Sequence, residues 1–383
     1  MSGLRAVIVS ADMVTPYGKG TDACWNNILS GRTAISGLNR FNTKAFQSDY
    51  AATIDSLKYH LAESSLRQGD SLVMQMLKSL FGKASVSIPE DAKLILATTK
   101  GEIDLLEENI LKGTGEMSDC SLTSLLKKVS ALTGVKDAGA VVSAACASSA
   151  AAVARAAAMI RSKRSDCVLV VACDSVTEFV FSGFSSLMAL DKFTARPFDK
   201  NRKGLSLGEA AAFVLVMSEA RAKQGKREIL GEIAGWGLSD DANHMTGPSR
   251  ESEGLILAIK KAFKTAATDK SDIGFISAHG TGTVYNDAME MRAFHSVFKD
   301  KKIPVYSIKG GIGHTMGAAG LIETIIAMRA LKERNIPPTV NLKDADEDAR
   351  GWVSQEPCPA DERKLALLTN AGFSGINAAL VVA

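Results

Sequence analysis

Short runs of aliphatic and β-branched residues alternate with alanine-rich stretches of helical character along the whole chain. This alternation predicts an α/β fold in which the strands are buried on both faces. The strand-like runs of the first part lie at residues 5–11, 93–99, 140–145, 166–173 and 210–217. The order recurs from about residue 227, with runs at residues 227–237, 272–280 and 303–311, a helical pattern at 316–332 and a last run at 378–383. We therefore expect two similar halves, residues 1–226 and 227–383, fused into one body.

One local correspondence supports this repeat. The segment VVSAAC, followed by an alanine-rich helical pattern, matches VYSIKGGIGH, followed by TMGAAGLIETIIAMRAL. If the halves are related by pseudo-symmetry, Cys146 and His314 occupy equivalent strand-to-helix turns, and we expect these turns to meet at the central seam. A chance likeness between two common strand–turn–helix units is the alternative.

Composition and charge exclude several classes of protein. The chain has 383 residues, of which 46% are hydrophobic, so it can bury a large core. A net charge of +3 gives no overall electrostatic reason to expect binding to nucleic acid or to a membrane surface. No stretch reaches the roughly 18 apolar residues of a spanning helix, and the first apolar run is too short for a signal peptide, so we expect a cytoplasmic protein. Six cysteines without C-x-x-C spacing predict free thiols, with no disulfide and no metal site.

Cys146 is the first candidate for chemistry. It follows a strand-like run and comes at the start of an alanine-rich helical pattern. The unpaired N–H groups and the positive dipole end of a helix start stabilise a thiolate, so we expect a lowered pKa there. The small neighbouring residues leave the sulfur open to a substrate. A buried cysteine that only packs is the alternative for this residue taken alone, and it is the interpretation of the other five.

Two of the five histidines lie in glycine-rich segments at the ends of strand-like runs. They are His279 in SAHGTGT and His314 in KGGIGHTMGAAG, where glycine allows sharp turns and close approach to a ligand. Two neutral imidazoles that present N–H donors can stabilise an enolate oxygen, and a cysteine with a histidine forms a nucleophilic pair. His60 and His295 are expected at the surface or at its boundary, and His244 is expected in a turn-capping role.

Taken together, these segments carry a family resemblance. They are SAACASSAAAVARAA at Cys146, AHGTGTVYNDAME at His279, SIKGGIGHTMGAAGLIE at His314, NAGFSGINAAL near the end, and ARPFDKNRKGLSLGEAAAFVLV at residues 195–216. The chain resembles the β-ketoacyl-acyl-carrier-protein synthases of the elongating Cys-His-His type over essentially its whole length. The resemblance implies an α/β thiolase-like fold, five-layered α/β/α/β/α, made of two pseudo-symmetric halves with a mixed five-stranded sheet in each.

The resemblance implies a decarboxylative Claisen condensation in fatty-acid or polyketide-type biosynthesis, including polyene or pigment pathways. Cys146 would accept an acyl group, and His279 and His314 would stabilise the enolate formed when malonyl-acyl-carrier-protein loses CO₂. The backbone N–H groups of Cys146 and Phe373 would form the oxyanion hole. No metal or other cofactor is implied, because the substrates arrive on the phosphopantetheine of acyl carrier protein. The implied assembly is a homodimer, or alternatively a heterodimer with a chain-length-factor-like subunit.

Four further residues match supporting positions of the family. Lys309 and Glu323 match a pair that supports the histidine of the second motif, AHGTGTVYNDAME, with a surface ion pair as the alternative. Thr281 and Thr283 match positions that bind the pantetheine arm, whose amides suit paired hydroxyls. Asp287, in the same motif as the threonines, is expected to order its loop.

The chain also departs from the family pattern. The final motif is one residue short, and TTKGEIDLLEEN places Lys100 and Glu102 where the family more often has a glycine-rich, apolar segment lining the acyl pocket. These departures favour a specialised condensing enzyme. Two other functions remain as alternatives: a non-catalytic chain-length-factor-like subunit, which would lack the nucleophilic cysteine, and a thiolase-type acyltransferase, which would carry a second cysteine in a C-terminal glycine-rich motif.

Overall fold

The computed structural model describes residues 4–59, 69–82, 87–113, 117–299, 301–361 and 364–383. His60 lies outside these ranges. Within them, no helix is both long enough and apolar enough to cross a membrane.

Within the described ranges, ten strands form two five-stranded sheets. The first sheet contains β1 (Ala6–Thr15), β5 (Lys93–Ala97), β6 (Ala140–Val142), β7 (Cys167–Asp174) and β9 (Ala210–Ser218). The second contains β10 (Gly231–Asp240), β11 (Ile273–Ser277), β12 (Val305–Tyr306), β15 (Leu365–Ala371) and β16 (Ile376–Val382). Short pairings use β2 (Gly18–Lys19), β3 (Ser36–Gly37), β4 (Tyr50–Ala52), β8 (Leu207–Gly208), β13 (Asn335–Ile336) and β14 (Cys358–Pro359).

The two sheets have the same strand order. Numbered along the chain within each half, the strands lie side by side in the order three, two, four, five, one, so that the first sheet runs β6-β5-β7-β9-β1 and the second β12-β11-β15-β16-β10. In each sheet the strands numbered two to four pair in parallel, and the remaining pairs are antiparallel. A short antiparallel ladder between β1 and β10 joins the sheets. The predicted repeat is confirmed at the level of topology, whereas the boundary at residues 226 and 227 stays a prediction.

The helices are α1 (Thr21–Leu29), α2 (Leu72–Phe81), α3 (Ile103–Lys112), α4 (Leu122–Thr133), α5 (Ser148–Arg161), α6 (Glu178–Ser186), α7 (Glu219–Gln224), α8 (Glu253–Ala266), α9 (Val284–Phe298), α10 (Lys309–Ile312) and α11 (Ala319–Glu333). α5 and α11 lie between the sheets and share one core with the inward faces of both. The outer face of the first sheet packs on α2 and α4, and that of the second on α8 and α9. This is the five-layered α/β/α/β/α arrangement.

The sequence pattern explains why these strands are apolar throughout. Strand side chains point alternately to opposite faces, and both faces of each sheet are covered by helices. In β1, for example, Ile8 packs in the central core, whereas Val7 and Val9 pack in the outer one. The predicted runs all contain strands, but the sequence did not indicate β15, which lies inside the second sheet.

Small residues allow the two central helices to approach closely. A Cβ atom on Gly320 of α11 would lie 2.8 Å from the backbone nitrogen of Ala150 in α5. At the same crossing, the backbone N–H of Leu321 donates to Oγ of Ser149 at 2.9 Å. This bond satisfies a first-turn N–H group of α11 that has no partner within its own helix. The crossing fixes α5, and therefore the turn that precedes it, against the second half.

Candidate active site

Cys146 lies in a tight turn between β6 and α5. Ala145 adopts a positive φ of 46°, which is uncommon for a residue with a side chain. Oγ of Ser148 accepts a hydrogen bond from the N–H of Ala144 at 2.8 Å and donates to the carbonyl of Ala145 at 2.6 Å. These bonds hold Cys146 two residues before the helix begins, with 7% of its surface exposed.

The loop after β15 closes over this turn. A Cβ atom on Gly372 would lie 3.1 Å from Cβ of Ala145 and 3.2 Å from the backbone nitrogen of Cys146, so only glycine fits without a shift of its neighbours. Burial raises the pKa of the Cys146 thiol, and the backbone N–H of Phe373, which faces the thiol, opposes this in small part. The two residues expected to form an oxyanion hole are therefore in contact, although their role stays a prediction.

The acidity of the thiol differs from the expectation. Burial raises the pKa of Cys146 to about 11, and the Lys100 and Lys309 ammonium groups offset only part of this effect. The expected lowering of this pKa is wrong, because the cost of burying a thiolate exceeds the stabilisation by nearby positive groups. The resting thiol is neutral, so its use as a nucleophile requires a base.

The two predicted histidines lie side by side. Their ring centroids are 5.2 Å apart and their planes are nearly perpendicular, at 87°. Burial lowers the pKa of both imidazoles well below 6.5, and Lys309 lowers it further. Both rings are therefore neutral at pH 7, and each has one N–H donor and one acceptor nitrogen.

Lys309 and Glu323 form a buried ion pair beside His279. The Lys309 ammonium donates to the Glu323 carboxylate and to the backbone carbonyl of His279. The other Glu323 oxygen accepts a hydrogen bond from Nδ2 of Asn370 at 2.6 Å. The same Asn370 nitrogen lies 3.5 Å from Nδ1 of His279. Because the carboxylate accepts from Nδ2, the remaining N–H of Asn370 donates to Nδ1, which places the His279 proton on Nε2. The surface ion pair considered as an alternative is excluded.

Two buried carboxylates shape the loop between β11 and α9. Glu290 accepts from the N–H groups of His279 at 2.8 Å and Gly280 at 2.6 Å, and burial raises its pKa to about 7. Asp287 accepts from the N–H groups of Thr281 and Gly282, as expected of a residue that orders its loop. The sequence indicated no role for Glu290, since its partners are backbone groups 10 and 11 positions away.

His314 follows α10 at the second strand-to-helix turn. Its backbone N–H donates to the carbonyl of Ser206 at 2.7 Å, and its carbonyl accepts from the N–H of Gly208 at 3.0 Å. These bonds join the His314 turn to β8 in the first half of the chain. Within the described residues, Nδ1 of His314 is buried without a hydrogen-bond partner.

Two cavities meet at Cys146. The first, which we call the threonine-side cavity, has a volume of about 450 Å³ and is bounded by Cys146, His279, His314, Thr281, Thr283 and Phe373, among others. The second, the lysine-side cavity, has a volume of about 440 Å³ and is bounded by Lys100, Cys146, Phe179, Phe184, Met316 and Phe373, among others. Oγ1 atoms of Thr281 and Thr283 lie 2.9 Å apart in the first cavity. The expected meeting of the Cys146 and His314 turns is confirmed.

The remaining candidates have structural explanations. The exposed ring of His244 accepts from the N–H groups of Thr246 and Gly247, which is a turn-capping role. His295 is exposed on α9. All six cysteines are free thiols. Glu102 does not line the lysine-side cavity but pairs with Lys128 at 2.6 Å. The part of the chain that the structure describes contains no group of three metal-ligating side chains.

Comparison with known proteins identifies relatives over the full length. The model of the β-ketoacyl synthase N-terminal domain matches residues 106–222, and that of the C-terminal domain matches residues 230–343. The 3-oxoacyl-[acyl-carrier-protein] synthase 2 of Coxiella burnetii is 29% identical, over 100% of this chain and 99% of the relative. The tetracenomycin polyketide synthase ketoacyl synthase alpha subunit of Streptomyces glaucescens is 28% identical, over 99% and 97%.

Two solved structures extend the likeness to three dimensions. The ishigamide ketosynthase/chain length factor superposes with a TM-score of 0.88 at 26% identity, covering 100% of this chain and 99% of the other. A type II polyketide synthase acyl-carrier protein in complex with its ketosynthase bound to the hexaketide gives a TM-score of 0.90 at 25% identity, with the same coverage.

Proposed function

Since the chain belongs to the β-ketoacyl synthase family, we propose that it catalyses the decarboxylative Claisen condensation of a Cys146-bound acyl group with malonyl-acyl-carrier-protein. The observation that carries this proposal is the convergence of Cys146, His279 and His314 on one cavity, with a second cavity on the other side of the same thiol. The relatives include enzymes of both fatty-acid and polyketide synthesis.

The first step transfers an acyl group to the enzyme. A neutral imidazole accepts the Cys146 proton, which the raised pKa of the thiol requires. The sulfur then attacks the carbonyl carbon of the acyl thioester, and the bond from that carbon to the carrier sulfur breaks. The carrier thiol leaves with the proton. The N–H groups of Cys146 and Phe373 donate to the carbonyl oxygen while it carries negative charge.

The second step forms the carbon–carbon bond. The malonyl carboxylate leaves as CO₂, and its bonding electrons form an enolate whose oxygen accepts hydrogen bonds from His279 and His314. Neutral rings suit this task because they supply N–H donors without the cost of burying two further cations. The enolate carbon attacks the Cys146 thioester, and the carbon–sulfur bond breaks. The Cys146 thiolate then takes up a proton from water, because its original proton left with the first carrier thiol.

The carrier arm enters through the threonine-side cavity in this proposal. Thr281 and Thr283 present hydroxyl groups that suit the amides of phosphopantetheine. The partners are acyl carrier protein and a second subunit, either another copy or a chain-length-factor-like chain, and the reaction takes place in the cytoplasm. In this proposal it needs no redox cofactor, because the condensation is redox-neutral, and no metal, because the two histidines stabilise the enolate oxygen.

The two alternative functions fit the site less well. A non-catalytic subunit has no use for a nucleophile flanked by two buried histidines. A thiolase requires a second cysteine near the first, but Cys358, in β14, borders neither cavity.

A mass measurement of the acyl-enzyme tests the proposal. The wild type and Cys146→Ala are each incubated with a panel of acyl-acyl-carrier-proteins, and Cys120→Ala serves as the matched control because Cys120 borders neither cavity. We expect one acyl group on the wild type and on Cys120→Ala and none on Cys146→Ala, followed by release as a 3-oxoacyl product when malonyl-acyl-carrier-protein is added. An adduct of equal yield on Cys146→Ala, or none on the wild type, contradicts the assignment.

A further inference from the structure

The lysine-side cavity is mostly apolar, with three hydroxyl side chains and one charged side chain in its wall. Among the described residues that border it, Lys100 alone is ionic, and aromatic rings and aliphatic groups form most of the remaining wall. The cavity runs from the buried Cys146 to Phe179 and Leu187, which are 55% and 50% exposed. A chain attached to Cys146 and extending away from the threonine-side cavity therefore passes the Lys100 ammonium group.

Lys100 is held in this position by Asp174. The Lys100 backbone N–H donates to Oδ1 of Asp174 at 3.3 Å. Its ammonium donates to Oγ1 of Thr99 at 3.0 Å, and that hydroxyl in turn donates to Oδ2 of Asp174 at 2.8 Å. Asp174 is buried and also accepts from the N–H of Gly317, so the arrangement is anchored to both halves of the chain.

This arrangement leaves hydrogen-bonding capacity on the ammonium group. A lysine has three N–H donors, and Thr99 accepts one. The other close groups are the sulfur of Met316 at 3.8 Å, a weak acceptor, and the ring of Phe184, whose centroid is 5.8 Å away. No carboxylate of the described residues lies within ion-pair distance of Lys100. A hydrocarbon chain that filled the cavity would exclude water from a charged donor without replacing its hydrogen bond, which is costly.

We propose that Lys100 makes the site selective for acyl groups that carry an oxygen acceptor, a carbonyl or a hydroxyl, along the chain. This inference rests on the proposed function, because it places the acyl chain of the Cys146 thioester in the lysine-side cavity. An oxygen substituent replaces the water on the Lys100 ammonium group, whereas a saturated chain does not. A conjugated hydrocarbon chain is intermediate, since an ammonium–π contact is weaker than a hydrogen bond to a charged donor.

The test compares acyl groups of equal length. Octanoyl, octadienoyl, and oxo- or hydroxyoctanoyl pantetheine thioesters, with the oxygen at successive positions, are offered to the wild type, and the initial rate of Cys146 acylation is followed by intact-protein mass spectrometry. We expect the best oxygenated chain to react at least about tenfold faster than octanoyl, because about tenfold is the rate ratio that one hydrogen bond to a charged donor provides. In Lys100→Met the ratio falls to about one, and in Lys100→Arg the preference is retained.

Further variants separate selectivity from structural effects. Lys192→Met is the matched control, because Lys192 also lies over a phenylalanine ring, that of Phe193, but borders neither cavity; it should keep the wild-type ratio. Lys100→Gln, which keeps a neutral donor, should give an intermediate ratio and replaces Lys100→Met if that variant does not fold.

Three outcomes overturn the inference. Equal ratios in the wild type and Lys100→Met would mean that Lys100 does not select between acyl groups, whatever the change in melting temperature. A faster reaction of octadienoyl than of every oxygenated chain would assign the cavity to conjugated hydrocarbons. If no thioester acylates Cys146 in the wild type, the proposed function itself fails, and this result is distinct from acylation without preference.

Discussion

At the scale of single residues, buried charges hold the histidine pair in place. The side chains of Lys309 and Glu323 are 1% and 2% exposed, and each has a further partner, the His279 carbonyl for Lys309 and Asn370 for Glu323. Such a pair contributes little net stability compared with apolar residues of the same volume, but the loss of one partner leaves an uncompensated buried charge. The pair therefore acts chiefly through the geometry that it imposes on His279.

This arrangement predicts a strong non-additivity. Lys309→Met leaves Glu323 charged and unpaired, so the free energy of unfolding should fall by about 3–5 kcal/mol in urea denaturation. Lys309→Met combined with Glu323→Gln should cost clearly less than the sum of the two single changes, because the buried charge is gone. Additive costs would show that the two side chains do not interact.

The sequence reveals residues of the site only when their signal is local. Cys146, His279 and His314 each lie in a distinctive short motif, so they could be identified. Asp174 lies in no such motif, and although Asn370 begins the final motif, its role could not be inferred. Their partners come from distant parts of the chain: Asp174 binds residues 98–100 and 317. The Cys146 pKa was wrongly predicted for the same reason, since burial by the loop at residues 372–373 cannot be inferred from the residues around the thiol.

At the scale of elements, the crossing of α5 and α11 positions the nucleophile. α5 starts two residues after Cys146, and α11 starts five residues after His314. Their contact at Gly320 and Ala150 therefore fixes the relative position of the two functional turns. The alanine-rich composition noted in the sequence has this physical basis: helices packed between two sheets need small side chains to come close.

Gly320→Ala tests the importance of this contact. The new methyl group would lie 2.7 Å from Oδ1 of Asn370 and 2.9 Å from Cβ of Ala150, so the helices must move apart. We expect a loss of about 1–3 kcal/mol in thermal or urea unfolding, together with slower acylation of Cys146. Gly183→Ala, in α6, is the control for stability, because nothing lies within 4 Å of its added Cβ and alanine favours the helix. Equal stability of the two variants would contradict the tight crossing.

Most strands were predicted because their apolar runs are continuous and end at clear turn signals. β15 was missed because its run of apolar residues ends in Thr369 and Asn370, and Asn370 begins the final loop motif. Both side chains are used inside the molecule, Thr369 as a donor to Glu290 and Asn370 as a donor to Glu323. Polar residues required by the site thus interrupt the hydrophobic pattern of a buried strand.

At the scale of the whole molecule, the five layers bury ionisable groups at their centre. Burial lowers the pKa of His279 and His314 below 6.5, so the folded protein binds fewer protons than the unfolded chain just below that pH. Their contribution to stability is therefore complete above pH 6.5 and is lost as the pH falls toward the folded-state pKa. Burial raises the pKa of Glu290 to about 7, so its effect on stability depends on pH in the opposite direction. The stability that the protonated Glu290 contributes is lost as the pH rises.

A comparison of wild type and His314→Asn isolates the histidine effect. Between pH 5 and 6.5, the free energy of unfolding should fall less steeply with falling pH in the variant than in the wild type. The two slopes should differ by up to about 1.4 kcal/mol per pH unit, the value for one proton. The free energy of unfolding from urea titrations at several pH values measures this slope. Identical slopes for the two proteins would mean that His314 is protonated alike in the folded and unfolded chain.

The presence of separate cavities on two sides of Cys146 has a kinetic consequence. In the proposed reaction, the acyl chain stays in the lysine-side cavity while the threonine-side cavity is vacated by one carrier arm and filled by the next. The two carriers share a single entrance and must use it in turn. The steady-state rate law is then that of a double-displacement enzyme. Acyl-acyl-carrier-protein reacts with the free enzyme, and malonyl-acyl-carrier-protein reacts with the acyl-enzyme. Each carrier therefore inhibits at high concentration, because it occupies the enzyme form that should bind the other.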